Sequence, residues 1–273
     1  MSTIKKVVLV TSGDYRHEYF VKKFCQSKNL CIVGIYREKR KKEYSVEDYK
    51  TAKSLKEIHF IERQLVEKDF FEAYNNFSFP ILATRYLEKK GDINSPEIVE
   101  EIKGLNPDYI CTFGCGIIKK GLLEEFFNRI INVHLGISPY YEGSGTNFWA
   151  AYDNNLSAFG HSFQYMDSGI DTGPTIHQGR CEAHLMDSVH QIGCRTIKNM
   201  VGQFVHLMEK FEQVEKKERV KVEKPRICKR KDCDDTAISK TYSNFGLGLV
   251  QNYINDKEEL DDMFPIVEQE WMK

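Results

Sequence analysis

Residues 4–36, IKKVVLVTSGDYRHEYFVKKFCQSKNLCIVGIY, decide the fold. Residues 4–11 are a compact apolar run that breaks off into Ser12-Gly13-Asp14. Over 16–27 the side chains of Tyr19, Phe20, Val21 and Phe24 recur at helical spacing and share an inward face. Residues 30–36 (LCIVGIY) form a second apolar run without polar alternation, the pattern of a strand covered on both faces. Strand, helix and strand follow one another with short turns, so the opening of the chain predicts an α/β fold.

The alternation continues outward from there. Residues 37–56 are densely charged and read as an exposed loop or short helix; 58–75 read as a helix, and an extended piece follows near 80–84. Ser95-Pro96-Glu97 places Ser at an N-cap and Pro at the first helical position. Buried strands are expected at 108–113, before Gly114-Cys115-Gly116, and at 130–134. Two more, at 157–165 and 174–181, flank the segment MDSGIDTG, and Asp187 is expected to cap a long helix reaching about Glu212. The sum is a mainly parallel sheet with helices on both faces.

Past residue 211 the character changes to KFEQVEKKERVKVEKPRICKRKDCDD (210–235). Two readings stand: a solvated helix end and linker, or a basic cluster of Lys229, Arg230 and Lys231 that meets an anionic ligand. Residues 242–253 (YSNFGLGLVQNY) are apolar enough to dock as a small helical appendage. The expected division is therefore 1–212 as the main domain and 213–273 as charged linker and C-terminal helical or irregular appendage.

Bulk properties narrow the function. At 273 residues there is material for one large domain plus an appendage. A formal net charge of −1 disfavours a nucleic-acid binder, which is usually clearly basic. No charged-then-apolar leader and no bilayer-length apolar run is present, so a cytoplasmic location without membrane partners is expected. The eight cysteines form no C-x-x-C pair, which favours reduced thiols and no metal site.

Chemistry concentrates at two segments. Side chains alternate along a strand, so Asn132 and His134 face the same way, at the carboxyl end where ligands bind in open α/β sheets. A loop with Gly136, Gly143 and Gly145 follows, where backbone comes close to a bound molecule. The second segment, 166–174 (MDSGIDTGP), is a tight loop between strands. Asp167 suits a turn that bonds its own backbone; Asp171, beside a sheet edge carrying a histidine, suits an orienting or proton-transferring role.

With Asn132–Val133–His134 followed by DSGIDTGP at 167–174, the chain resembles the folate-dependent formyltransferase family over roughly residues 4–208. That family holds glycinamide ribonucleotide, methionyl-tRNA and sugar N-formyltransferases, and its fold is a Rossmann-like sheet. The resemblance implies that Asn132, His134 and Asp171 are catalytic and that 10-formyltetrahydrofolate is the co-substrate. It implies that Gly116, Ile117 and Ile118, within FGCGII, hold the folate ring, with Asp167, Gly169 and Ile170 as the opposite wall. In the implied reaction an amine attacks the formyl carbon and Asn132 donates to the resulting oxyanion, a contact whose loss costs about 3–4 kcal/mol of barrier. His134 and Asp171 stabilise that charge and shuttle the proton. The chain departs from the family in Leu135 and Gly136 after the histidine, and in Glu142 where a basic residue is usual.

The acceptor is reached by elimination. After the first strand stands TSGDYRHEYF, with Gly13 alone, instead of the purine enzyme's glycine-rich phosphate loop. The charged residues 213–273 are too few and too poor in strand pattern for the tRNA enzyme's C-terminal barrel. A folate hydrolase of this family would carry a domain ahead of the catalytic one, and Asn132 comes too early. What remains is a small-molecule amine, expected to be a nucleotide-linked amino sugar for surface polysaccharide. Glycinamide ribonucleotide and a catalytically retired folate-binding protein are the alternatives. Ser12, Gly13, Arg16 and His17 at the first strand's end, helped by a helix N-terminus, are expected to meet this acceptor. Tyr141, with Tyr140, Phe148 and Trp149, is expected to offer stacking surface. The protein partner considered is a second copy, docked through the appendage.

Overall fold

The structure, a computed structural model, describes residues 4–39, 42–75 and 84–272. The expected βαβ opening is present as β1 (Lys5–Thr11), α1 (Tyr15–Gln26) and β2 (Leu30–Glu38). There follow α2 (Leu55–Asn75), β3 (Thr84–Leu87), α3 (Pro96–Leu105), β4 (Tyr109–Phe113), α4 (Lys120–Glu125) and β5 (Ile130–His134). The extended piece anticipated near 80–84 lies outside the described residues except for Thr84 itself, where β3 begins. Next come β6 (Tyr141–Gly143), α5 (Thr146–Tyr152), β7 (Gly160–Tyr165), β8 (Thr175–Arg180) and the long α6 (Val189–Glu209). The chain closes with β9 (Arg226–Cys228), α7 (Asp235–Gly246), α8 (Leu249–Asn255) and α9 (Lys257–Asp262).

Seven strands form one sheet in the order β3-β2-β1-β4-β5-β7-β8. The first five pair in parallel, whereas β7 runs antiparallel to both β5 and β8. Strand order reverses between β1 and β4, which opens a crevice at the carboxyl ends there. A small parallel pair, β6 with β9, ties the loop after β5 to the C-terminal segment.

Strand alternation distributes the core over both faces. Leu9, Ile131, Val133 and Phe163 pack beneath Phe20 and Phe24 of α1 and Phe204 of α6. On the other side Val8, Val10, Ile110 and Ile130 pack beneath Ile98 and Ile102 of α3 and Leu122 of α4. The helices α7 and α8 share a third cluster with α5, through Ala237, Leu249, Tyr253 and Trp149.

Ser95 caps α3 as expected, accepting from the Ile98 N–H, with Pro96 at the first position. Two boundaries differ from the sequence reading. The cap of α6 is Ser188, whose hydroxyl accepts from Gln191 N–H at 3.3 Å. Asp187 is instead engaged by Arg195 at 2.7 and 3.0 Å and accepts from His184 N–H at 2.6 Å, so its oxygens are already occupied. Ser157 and Ala158, expected in a strand, belong instead to a 3-10 turn, Leu156–Ala158, in which Asn155 accepts from Ala158 N–H. Among the described residues no helix is long and apolar enough to cross a membrane. All eight cysteines are free thiols.

Candidate active site

The sheet sets the first catalytic candidate. Thr112 on β4 and Asn132 on β5 stand opposite each other in the parallel register. The Thr112 hydroxyl donates to Asn132 Oδ1 at 2.7 Å. With its oxygen so engaged, the amide keeps its two N–H donors for the cavity that it lines.

His134, two residues on, is fixed through both ring nitrogens. Nδ1 lies 3.1 Å from Asp171 Oδ2, and Nε2 lies 3.0 Å from the Tyr141 carbonyl. Asp171 sits at φ +57°, a conformation L-residues seldom adopt and Asp tolerates better than most. That turn carries its carboxylate into a nest of donors. Gly143 N–H donates to Oδ2 at 3.0 Å and Gln164 Nε2 donates to Oδ1 at 3.2 Å. Burial alone would raise the pKa of Asp171. The bond to His134 and its charge, the Gly143 N–H and the Gln164 amide outweigh it and hold the carboxyl below its usual value. Gln164 stands opposite Asn132 on β7, so Thr112, Asn132 and Gln164 make a polar row across three strands.

Two cavities meet at His134 and Gly143. One, of about 240 Å³, lies between the loop after β4 and the loop 166–173. Gly116, Ile117 and Ile118 line one wall, and Asp167, Gly169 and Ile170 the other. The Gly116 N–H donates to Glu38 Oε1 at 3.0 Å, and a Cβ at Gly116 would lie 2.6 Å from that oxygen. Ile117 and Ile170 are 70% and 63% exposed, two aliphatic lips on facing walls. Asp167 shapes its loop, accepting from Gly169 N–H at 2.9 Å and the Thr172 hydroxyl at 2.8 Å. The buried Gln164 Oε1 has no hydrogen-bond partner among the described residues. A cavity with aliphatic lips on facing walls and polar side chains in its lining fits a flat, polar-edged ring such as a pterin.

The second cavity, of about 260 Å³, is walled by α1, α2, α5 and α6. Arg16 and Arg63 both bind Glu67 here, at 2.5 and 3.1 Å. His59 Nδ1 and His190 Nε2 reach the Tyr242 hydroxyl at 3.0 and 3.2 Å. Burial, aided by the charge on Arg63, pushes His59 down to about 4. Burial, then His59 and Arg63, lowers His190 as well, so both rings are neutral near pH 7.

Of the residues expected to meet an acceptor, Arg16 lines this cavity, and so does Phe148. Tyr141 does not present its ring: the side chain is buried, its hydroxyl donates to Asp153 at 3.1 Å, and only its carbonyl reaches the site. Tyr140 donates to the Pro265 carbonyl, and Trp149 is buried in the third core cluster. Ser12 lines a third cavity, of about 350 Å³, with Lys39, Lys42, Lys90 and Arg230; Gly13 lines none of the three. The sequence reading passed over Thr112, Gln164, His59, Arg63, Glu67 and His190. Thr112 alone left a usable signal, as the polar residue of an apolar strand adjoining Asn132.

Comparisons with known proteins bear on this geometry. A model of the formyl transferase family matches residues 24–206. The methionyl-tRNA formyltransferase of Finegoldia magna is 34% identical over 86 residues, which span 31% of this chain and 27% of that enzyme. The chain spans between about a quarter and two fifths of the length of the curated relatives it matches. Phosphoribosylglycinamide formyltransferase from Anaplasma phagocytophilum superposes with a TM-score of 0.54 at 16% identity, covering 82% of this chain and 99% of that one. A Mycobacterium tuberculosis protein, provisionally described as a sugar N-formyltransferase, superposes with a TM-score of 0.52 at 16% identity, covering 84% and 76%. At such identities the likeness concerns the fold.

Proposed function

The chain belongs to the formyl transferase family, and from that premise we propose that it moves a formyl group from 10-formyltetrahydrofolate to the primary amine of a nucleotide-linked amino sugar, a cytoplasmic step toward a surface polysaccharide. The observation that carries the reading is that Asn132, His134 and Asp171 line one cavity, with Asp171 against His134 and His134 shared with the second cavity.

The first cavity suits the folate and the second the acceptor. When bound, the folate supplies an activated formyl carbonyl. The Asn132 N–H groups, turned outward by Thr112, receive negative charge that builds on its oxygen. Asp171, held ionised by its donors, takes the proton of the attacking amine and passes it to the leaving nitrogen, while His134, braced at both ring nitrogens by Asp171 and the Tyr141 carbonyl, positions that carboxylate.

Support for a nucleotide link comes from the third cavity, which shares Arg63 and Glu67 with the second. Lys90 and Arg230 suit phosphate oxygens, while Lys39 and Lys42 are paired with Glu88 and Asp48 and the carboxylates of Asp14, Glu38, Glu67 and Glu88 share the lining.

Mass spectrometry of nucleotide-linked amino sugars, free amino sugars, glycinamide ribonucleotide and methionyl-tRNA, each incubated with protein and 10-formyltetrahydrofolate, tests the reading. One added formyl on an amino sugar is the expected result. Formylation of another acceptor overturns the sugar assignment, and tight folate binding without transfer to any amine overturns the reaction.

A further inference from the structure

The stretch between α6 and β9, read from sequence as a linker, returns to the catalytic trio. Its Arg219 guanidinium donates to the Asp171 carbonyl at 3.1 Å, the Thr172 carbonyl at 2.9 Å, the Ser138 hydroxyl at 2.9 Å and Glu142 Oε1 at 2.5 Å. Two of these oxygens lie on the loop that carries the Asp171 carboxylate. The other two lie on the loop that brings the Tyr141 carbonyl to His134 and the Gly143 N–H to Asp171. One planar cation therefore pins together the two loops whose apposition orients the imidazole.

The pin acts where the backbone needs holding. Asp171 sits at φ +57°, and such conformations persist when surrounding contacts over-determine them. Two guanidinium N–H bonds to the carbonyls of Asp171 and Thr172 supply that constraint directly. The Arg219 and Glu142 side chains are only 27% and 11% exposed, so the pair is partly shielded from water. Lysine, a single ammonium on a flexible stem, cannot span four oxygens in this fork geometry.

We propose that Arg219 is a positioning residue for the transfer reaction: it clamps the Asp171 loop against the Ser138–Glu142 loop, and through it the segment after α6 becomes part of the catalytic apparatus. The inference rests on the transfer reading above, and the test separates the two.

Steady-state kinetics of the full chain, following tetrahydrofolate release, would compare wild type with Arg219→Gln, Arg219→Lys and Glu142→Gln. Arg219→Gln is expected to lower kcat by about 10- to 100-fold, the scale of loss for a catalytic group displaced by about an ångström. KM for the acceptor should stay within about twofold, since neither Arg219 nor the Asp171 loop lines the acceptor cavity. Arg219→Lys should not rescue kcat. Glu142→Gln, which removes the ion pair and spares the carbonyl bonds, should lose far less. The nitrogen-15 resonance of His134 Nδ1 reads the same clamp without turnover and should move in Arg219→Gln more than in Glu142→Gln. An unmoved resonance, near-normal kcat in Arg219→Gln, or equal losses in the Arg219 and Glu142 variants would overturn the clamp. Wild type that transfers to no amine, while the resonance still moves, would overturn the reaction and leave the clamp standing.

Discussion

Thr112 donates its hydroxyl hydrogen to Asn132 Oδ1 across 2.7 Å, from the position directly opposite in the β4–β5 register. That bond decides which end of the carboxamide faces the cavity. An oxygen turned outward would repel a developing oxyanion, whereas the amide nitrogen stabilises it.

Thr112→Val keeps the shape of the side chain and deletes the donor. We expect kcat to fall by about fivefold, the worth of one ordinary hydrogen bond of roughly 1 kcal/mol. Asn132→Ala should fall by about 10²- to 10³-fold, as for removal of one oxyanion donor. Equal turnover in Asn132→Ala and wild type would remove the amide from the mechanism.

Asp171→Asn isolates the carboxylate. Asn adopts left-handed backbone as readily as Asp, so the turn at φ +57° should survive. We expect kcat to drop by about 10²- to 10⁴-fold with folate binding retained, measured by kinetics and by fluorescence titration with a folate analogue. A variant that loses folate affinity and turnover in parallel would mark Asp171 as a binding residue instead.

The folded pKa of Asp171 is depressed, so its stabilising contribution is fully present above the unfolded carboxylate value of about 3.9 and disappears as pH falls through the lower folded value. Histidines dominate at milder pH. Burial pushes His59, His161 and His177 down to about 4, 3 and 4. Between about 6.5 and those values the unfolded chain binds protons that the folded chain excludes. Stability should therefore decline on acidification by up to about 1.4 kcal/mol per pH unit for each group. Urea midpoints recorded from pH 7 to pH 5 should fall steadily, and His161→Leu should flatten the slope. A midpoint independent of pH across that range contradicts the assignment.

Gly143 is held at φ +97°, and a Cβ there would lie 2.4 Å from the Cys228 carbonyl oxygen. Gly143→Ala should cost about 1–3 kcal/mol in thermal or chemical denaturation, because β6 must separate from β9. Turnover should fall too, since the same residue's N–H donates to Asp171. Unchanged stability would mean that the β6–β9 pairing is not needed.

Much of the scaffold was legible along the chain. Apolar runs such as Val7–Val10 had to be covered on both faces, and Ser95-Pro96 opened a helix where capping chemistry required. Strand alternation alone put Asn132 and His134 on one side. Tyr141 shows where such reasoning stops: its place in a glycine-rich loop suggested a stacking ring, yet packing against α5 turned the side chain away and left the carbonyl to meet His134.

Local sequence determined the strands, the helices and the shared direction of Asn132 and His134, because period-2 alternation and end-capping act over a few residues. Tertiary structure alone decided that Thr112 orients the amide, that His59 and His190 share the Tyr242 hydroxyl, and that Arg219 reaches back across 48 residues to the carbonyl of Asp171. Those contacts depend on sheet register and on helices docking from distant parts of the chain. A hydrogen bond forms only over about 3 Å, so no pattern of neighbouring residues encodes it.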